Sequence, residues 1–271
     1  MMTEIQARKG QGLHDLIKRM SIGTIEDRKR TAVTGSSQFQ SALQKFEEML
    51  KTDVDSMEEA TIIQESPEIL TPNEINIFVQ AAISYEHIPW YESHLGHFVT
   101  RLIQNSYGAN HNDFILKMNL SKPINYLGES AWMAQKEKSP RIQGTADNPL
   151  KITVLGDVEN VFGKGSEYAH YTLYGRAGIY CASFIDHCRF SLFESVEENL
   201  ATGAKNSEFF LDGKIVPTLF QDKEKPENCI FRTPKKDTLQ SLLSTMPEGN
   251  RIIYVKADGT EEVVRDYHDH T

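Results

Sequence analysis

The sequence between about Leu150 and Thr233 repeats with a period of 19 residues. Apolar residues recur at this spacing in three columns, namely Val158/Ala177/Val196/Ile215, Tyr171/Phe190/Phe209 and Leu173/Leu192/Leu211/Ile230. A repeat this short cannot bury its apolar residues alone, so successive repeats must stack on one another. The repeat therefore predicts a solenoid.

Apolar and polar residues alternate within each repeat. Tyr171 and Leu173 enclose Thr172, and the next repeat has the same order. Period two is typical of a strand with one buried face. The equivalent strand one repeat away is the nearest partner, about 4.8 Å distant in a parallel sheet. The sequence thus predicts a mainly β protein, a parallel β-helix built from single-stranded 19-residue coils.

Two other solenoids compete with this interpretation. A helical solenoid usually needs roughly 33 to 47 residues per repeat, since each repeat holds two helices. A leucine-rich repeat fits the length better, but its own leucine and asparagine pattern is absent. The β-helix is the better explanation of the pattern.

Glycines lie between the short predicted strands, at Gly163-Lys-Gly165, Gly175, Ala177-Gly178 and Gly213. Residues 142–214 in this respect resemble the glycine-rich repeat found in the C-terminal domain of glutamate synthase and in one of the polypeptides of formylmethanofuran dehydrogenase. The resemblance implies a right-handed β-helix whose glycines sit where the coil turns. It implies no catalytic residues, because the similar domain of glutamate synthase is a structural spacer.

A small α-helical part is predicted before the solenoid, over residues 36–112. Ser36 or Ser37 is a suitable N-cap for a first amphipathic helix. Residues 53–66 are read as an acidic connection, in which Ile62 and Ile63 could anchor a helical turn. Thr71-Pro-Asn-Glu74 is a capping box that begins a helix ending before Pro89. A further helix follows from Trp90 to about Asn105.

The solenoid is predicted over residues 113–264. Phe114, three periods before Tyr171, is taken as the first rung, with Leu127-Gly128 and Ile142 in the less regular coils that follow. After Thr233, Asp237 is expected to cap a short helix, and a hairpin turning at 257–259 closes the end. Residues 1–35 are expected to form a flexible segment and residues 265–271 a polar tail.

Composition limits the classes of protein that remain. A net charge of −9 argues against a broad nucleic-acid surface, and binding of nucleic acid through Lys9 to Arg30 is the weakest hypothesis. Three cysteines without a CxxC pattern indicate reduced, buried thiols. The N-terminus has no apolar run typical of a secretory signal, and no run is long enough to span a membrane. A cytoplasmic location is therefore expected.

Histidines are densest at His87, His94 and His97. A His-x-x-His pair on a helix places two imidazoles about one turn apart, where they can bind a metal if another ligand arrives from elsewhere. Surface or interface histidines are the simpler interpretation, so no cofactor is assigned. The sequence from Asp266 to His270 favours adventitious binding of metal ions. Residues Gly163 to Ser166 lack the spacing of a phosphate-binding loop.

The outward side chains of the strands indicate a binding face. His170, Arg189 and Glu208 occupy equivalent positions, which predicts that Arg189 lies between an imidazole and a carboxylate. On the same face, Tyr174 and Phe193 share one outward column, and Phe210 lies in the column beside it. Exposed aromatic residues this close together suggest a covered face, packed against the N-terminal helices or another protein chain.

The predicted function is that of a non-enzymatic scaffold or interaction module, whose flat sheet face contacts a protein partner or a second copy of the chain. The alternative is a subunit of a redox or amidotransfer enzyme complex. A pocket around His94, His97 and His170 would favour that alternative. The sequence names no small-molecule ligand.

Overall fold

The computed structural model describes residues 36–118, 121–129, 142–216 and 224–266. Eight strands form one sheet in the order in which they occur along the chain. The strands are β1 (Asp113–Lys117), β2 (Leu150–Leu155), β3 (Ala169–Tyr174), β4 (Arg189–Leu192), β5 (Glu208–Leu211), β6 (Ile230–Thr233), β7 (Arg251–Val255) and β8 (Glu261–Arg265).

Strands β1 to β7 pair in parallel, and from β2 to β5 the paired residues lie one 19-residue repeat apart, which confirms the β-solenoid. Tyr171, Phe190 and Phe209 form one interior stack, with ring centroids 4.5 Å and then 5.9 Å apart. Phe231 continues that stack at 4.6 Å from Phe209. Like residues therefore lie directly over one another inside the coils, where they exclude water.

The rest of each coil is held by two further columns of parallel bridges. One column joins Val158, Ala177, Val196 and Ile215, as the repeat predicts. The other joins Glu167 to the equivalent residues of the following coils. Gly163 and Gly165 lie between the two columns with positive φ angles of 71°, so these two glycines sit where the coil turns.

Three coils depart from the 19-residue spacing, and the last of them pairs Ile230 of β6 with Arg251 of β7. Phe114 pairs directly with Ile152, so a single long coil occupies the two repeat lengths in which two coils were expected. Ile230 pairs with Glu208, and Phe231 takes the place opposite Phe209. The assignment of Ile230 to the Leu173 column is therefore wrong. Three extra residues in this coil change the parity of the strand, and Ile230 turns to the outer face.

In the described residues before the sheet there are four α-helices: α1 (Ser37–Met49), α2 (Met57–Gln64), α3 (Pro72–Ala82) and α4 (Tyr91–Gly108). Ser36 caps α1, and Thr71 with Glu74 forms the predicted capping box of α3. The expectation of a connection over residues 53–66 is wrong, because α2 lies there with Ser56 as its N-cap. A buried aromatic cluster of Phe39, Phe46, Phe78 and Phe98 joins α1, α3 and α4.

Helix α3 closes the first edge of the solenoid. The Lys117 N–H on the free edge of β1 donates to Oδ1 of Asn76 at 2.9 Å. The Lys117 carbonyl accepts from the amide of Gln80, one helical turn further on. These two side chains satisfy backbone groups that a sheet edge would otherwise offer to another strand.

Helix α4 packs closely on the first coil through Gly96. A Cβ atom at this position would lie 1.7 Å from the carbonyl oxygen of Asn125. The Thr100 hydroxyl accepts from the Gly128 N–H at 2.8 Å, which fixes the same contact. The helical part and the solenoid therefore belong to one compact unit.

The last coil ends in a helix and a hairpin. Helix α5 (Lys236–Thr245) begins one residue before Asp237, which lies in the first turn and is not the N-cap, contrary to expectation. Strand β7 continues the parallel sheet, and β8 folds back antiparallel to it as predicted. Exposed Glu261 and Glu262 on β8 discourage pairing with another chain at this edge.

All three cysteines are buried and free, as expected. Burial raises the pKa of the Cys188 thiol to about 12 and that of the Cys229 thiol to about 11. Residues 1–35 and 267–271, including the basic residues from Lys9 to Arg30, lie outside the described residues. No described helix is long and apolar enough to cross a membrane.

Substitution Gly96→Ala is expected to lower the free energy of unfolding by about 3 kcal/mol, since the added methyl group overlaps backbone atoms that cannot move aside. Gly108→Ala, at a helical position with no atom within 4 Å of the added Cβ, is the matched control and should leave stability unchanged or slightly higher. Urea denaturation measures both. Equal effects of the two substitutions would contradict the close approach of α4 to the first coil.

The double substitution Asn76→Ala/Gln80→Ala should cost about 2 kcal/mol, because the backbone N–H and C=O of Lys117 lose their partners. Hydrogen exchange at the Lys117 amide should also accelerate. Asn73→Ala, exposed on the same helix, is the control. Unchanged exchange at Lys117 in the double variant would show that α3 does not cap this edge.

Candidate functional site

The outward row of the sheet places His170, Arg189 and Glu208 in register, as predicted. Arg189 Nη2 lies 3.6 Å from Glu208 Oε1, and Glu208 Oε2 also accepts from Arg232 at 3.0 Å. Burial lowers the pKa of His170, and the charges of Arg189 and Lys151 on either side lower it further. Each of these partly exposed ion pairs contributes at most about 1 kcal/mol to the free energy of unfolding. Their main effect is therefore on the charge pattern of the face.

The three outward aromatic residues also come together. The rings of Tyr174 and Phe193 stack at 4.6 Å with an interplanar angle of 14°, and Phe210 lies 6.0 Å from Phe193. All three are half-buried. Helix α3 contacts the sheet mainly at β1, and α5 contacts it at β6 and β7. The described helices therefore pack at the ends of the sheet, leaving part of each ring accessible.

A second group of polar residues is buried between α2, α4 and the first coil. Nδ1 of His94 and Nδ1 of His97 lie 2.8 Å and 3.2 Å from the same oxygen, Oε1 of Glu59. The exposed fractions of Glu59, His94 and His97 are 0%, 1% and 3%. Spacing i, i+3 on α4 brings the two imidazoles to one face, as predicted, and α2 supplies the carboxylate between them.

Glu59 is held as an anion. Burial by itself raises the pKa of its carboxyl group, but the hydrogen bonds from His94 and His97 outweigh burial and lower that pKa to about 2. Its second oxygen, Oε2, accepts from the Asp55 N–H at 2.6 Å. Carboxylate oxygens of Asp55 and Glu59 and a ring nitrogen of His97 lie within 4.8 Å of one another. These three residues could hold a metal ion.

The first coil borders this group with Tyr126 and Glu129. The Tyr126 ring stacks on the His97 ring with centroids 4.8 Å apart. Burial raises the pKa of Glu129, and the Lys164 ammonium group, 2.8 Å away, offsets only part of that increase. Several buried ligand-type atoms of the described cluster have no hydrogen-bond partner: Asp55 Oδ1, His94 Nε2, His97 Nε2 and Glu129 Oε2.

His87 and His170 do not join this group. His87 is exposed on the segment before Pro89, and His170 lies on the outer face of β3. Sequence reasoning missed Asp55, Glu59 and Glu129. Ser56 and Glu59 have the spacing of a capping box, which could have revealed α2. No local pattern indicates that Glu59 meets a helix about 35 residues further along the chain.

Comparison with protein-family models, with curated proteins and with solved structures gave no match to this chain.

Substitution Lys164→Met should destabilise the protein by about 2 kcal/mol at pH 8, because Glu129 then stays buried without its cation. The raised pKa of Glu129 means that the folded state binds a proton more tightly than the unfolded state. The destabilisation should therefore shrink as the pH falls towards 4.5. Thermal denaturation at several pH values measures this effect.

Glu129→Gln added to Lys164→Met should restore most of the lost stability, since a neutral amide needs no cation. Lys205→Met, which removes the lysine of an exposed pair with Glu227, is the control and should change little. A Lys164→Met effect that is independent of pH would show that the ion pair is not the cause.

Proposed function

We propose that this chain is a non-enzymatic scaffold that binds another protein through the outer face of its sheet. The observation that supports the proposal is the half-buried aromatic cluster of Tyr174, Phe193 and Phe210 in the middle of that face. Aromatic side chains at the centre of an interface contribute most of the binding energy in many complexes. The partner is a protein of different sequence or a second copy of this chain.

The row of charged residues beside the aromatic rings would determine how a partner is oriented on the face. Arg189 and Arg232 flank Glu208, and all three side chains remain partly exposed. Partly exposed charges at the rim of an interface favour one partner and one register over others while adding little affinity. A partner with an apolar centre and a complementary row of charges fits this face best.

The alternative, a component of an enzyme complex, has no supporting observation of its own. His170 lies in register with Arg189 on the outer face, whereas His94 and His97 are buried against Glu59. The pocket around these three histidines that would favour the alternative is therefore not formed. Unpaired cysteines support a cytoplasmic location as part of the same proposal.

The proposal is tested by placing the photo-crosslinking residue p-benzoylphenylalanine at position 191 in the native host. Ser191 lies on the outer face, in register with Phe210. Position 205, exposed in another bridge column of the coil, is the control site. A discrete crosslinked product is expected from position 191 only. Purified protein crosslinked alone distinguishes a second copy from a different partner.

The double substitution Phe193→Ser/Phe210→Ser should reduce the crosslink at least about tenfold, because each buried aromatic anchor contributes about 2 kcal/mol or more. Phe184→Ser, which removes an exposed ring outside the sheet, should leave the crosslink unchanged. Equal crosslinking from positions 191 and 205, or a crosslink that survives the double substitution in folded protein, would refute the proposal.

A further inference from the structure

We propose that Asp55, Glu59 and His97 bind one divalent transition-metal ion, of the class that includes Zn²⁺, in a structural centre that fastens α2 to α4. His94 acts as a positioning residue, since its Nδ1 lies 2.8 Å from Glu59 Oε1. The three ligand atoms, two carboxylate oxygens and one imidazole nitrogen, already lie within 4.8 Å of one another. Only modest side-chain movement is needed to reach metal–ligand distances of about 2.0–2.2 Å.

His97 adds a nitrogen ligand to the two carboxylates of the proposed site. His97 is buried, with Nδ1 3.2 Å from Glu59 Oε1 and Nε2 without a hydrogen-bond partner in the described part of the chain. If Nδ1 carries the proton, the Nε2 lone pair is buried without a donor. If Nε2 carries it, that N–H is buried without an acceptor. Nδ1 is the ring nitrogen that lies beside Glu59, so a metal ion shared with Glu59 would take up the Nδ1 lone pair, and Nε2 would carry the proton.

The charges of the site also call for a cation. Glu59 is fully buried, and Asp55 Oδ1 is buried without a hydrogen-bond partner. Lys164 pairs with Glu129 at 2.8 Å and Glu59 pairs with His94 and His97, which leaves Asp55 Oδ1 without a partner among the described residues. Buried carboxylates are costly unless they are paired or coordinate a metal. A divalent ion would neutralise Asp55 and Glu59 together.

The donor set selects the class of metal. An imidazole nitrogen with two carboxylates suits Zn²⁺, Fe²⁺ or Mn²⁺, whereas Ca²⁺ and Mg²⁺ favour all-oxygen sites. Glu59 and His97 are closed off from solvent, which is typical of a structural centre. Such a centre would also fix the His97 ring on which Tyr126 of the first coil stacks. The metal therefore stabilises the junction between the helical part and the solenoid.

The test uses the full chain without a purification tag, in a His268→Ala/His270→Ala background that removes the chelating sequence near the C-terminus. Zn²⁺ binding is measured by calorimetry after treatment with a chelator, and Co²⁺ serves as a spectroscopic probe. The background protein is expected to bind one Zn²⁺ per chain. Free Zn²⁺ at about 100 times Kd should raise Tm by about 5–10 °C.

Asp55→Asn should weaken Zn²⁺ binding about 100-fold or more and abolish the rise in Tm. It retains the fold, since Asp55 has a φ of 60° and asparagine tolerates this left-handed conformation. His97→Ala should have the same effect on binding. His87→Ala, which removes an exposed histidine outside the cluster, is the matched control and should bind Zn²⁺ normally.

Failure of the background protein to bind Zn²⁺ or Co²⁺ stoichiometrically would overturn the proposal. Unchanged affinity in folded Asp55→Asn would overturn it as well, because binding would then lie elsewhere. Neither result bears on the protein-binding face, which shares no residue with this centre.

Discussion

The structure depends on the vertical stacking of coils that are 19 residues long. Each short strand completes its backbone hydrogen bonds only with the equivalent strands of the neighbouring coils, and each interior ring packs mainly on the ring one coil away. No single coil has enough apolar contact to fold alone. The order of the strands in the sheet follows their order in the chain for this reason.

A stack of this kind leaves two open ends. The first end is closed by the helical part, whose Asn76 and Gln80 bind the free edge of β1 and whose Gly96 allows α4 to approach the first coil. The second end is closed by α5 and by the antiparallel strand β8. Close packing at the first end has a chemical consequence, because it removes His94, His97 and Glu59 from water together.

The two candidate sites differ in how the solenoid creates them. The outer face follows directly from the repeat, since parallel register places Tyr174 beside Phe193 and Arg189 beside Glu208. The buried cluster arises only where helices meet the first coil, and its unpaired atoms belong to residues from three separate segments. The first site offers a broad surface to a macromolecule, whereas the second gathers carboxylate and imidazole groups in the interior.

The sequence by itself determined the repeating architecture and where α1, α3 and α4 begin. The 19-residue period placed Tyr171, Phe190 and Phe209 in one interior stack. The capping box placed Thr71 at the start of a helix. The outward position of the aromatic and charged rows followed from strand parity. Strand alternation, the repeat and helix caps depend on residues that are close in the sequence or regularly spaced along it, so the sequence alone reveals them.

The irregular coils and the buried polar cluster were decided by the tertiary structure alone. The double-length first coil and the shifted position of Ile230 come from insertions, and the register across an insertion is set by packing and hydrogen bonding on both sides of it. The meeting of Glu59 with His94 and His97 joins helices that no sequence period relates. Side chains brought together by the docking of separate elements carry no local signal, because their contact depends on how those elements pack.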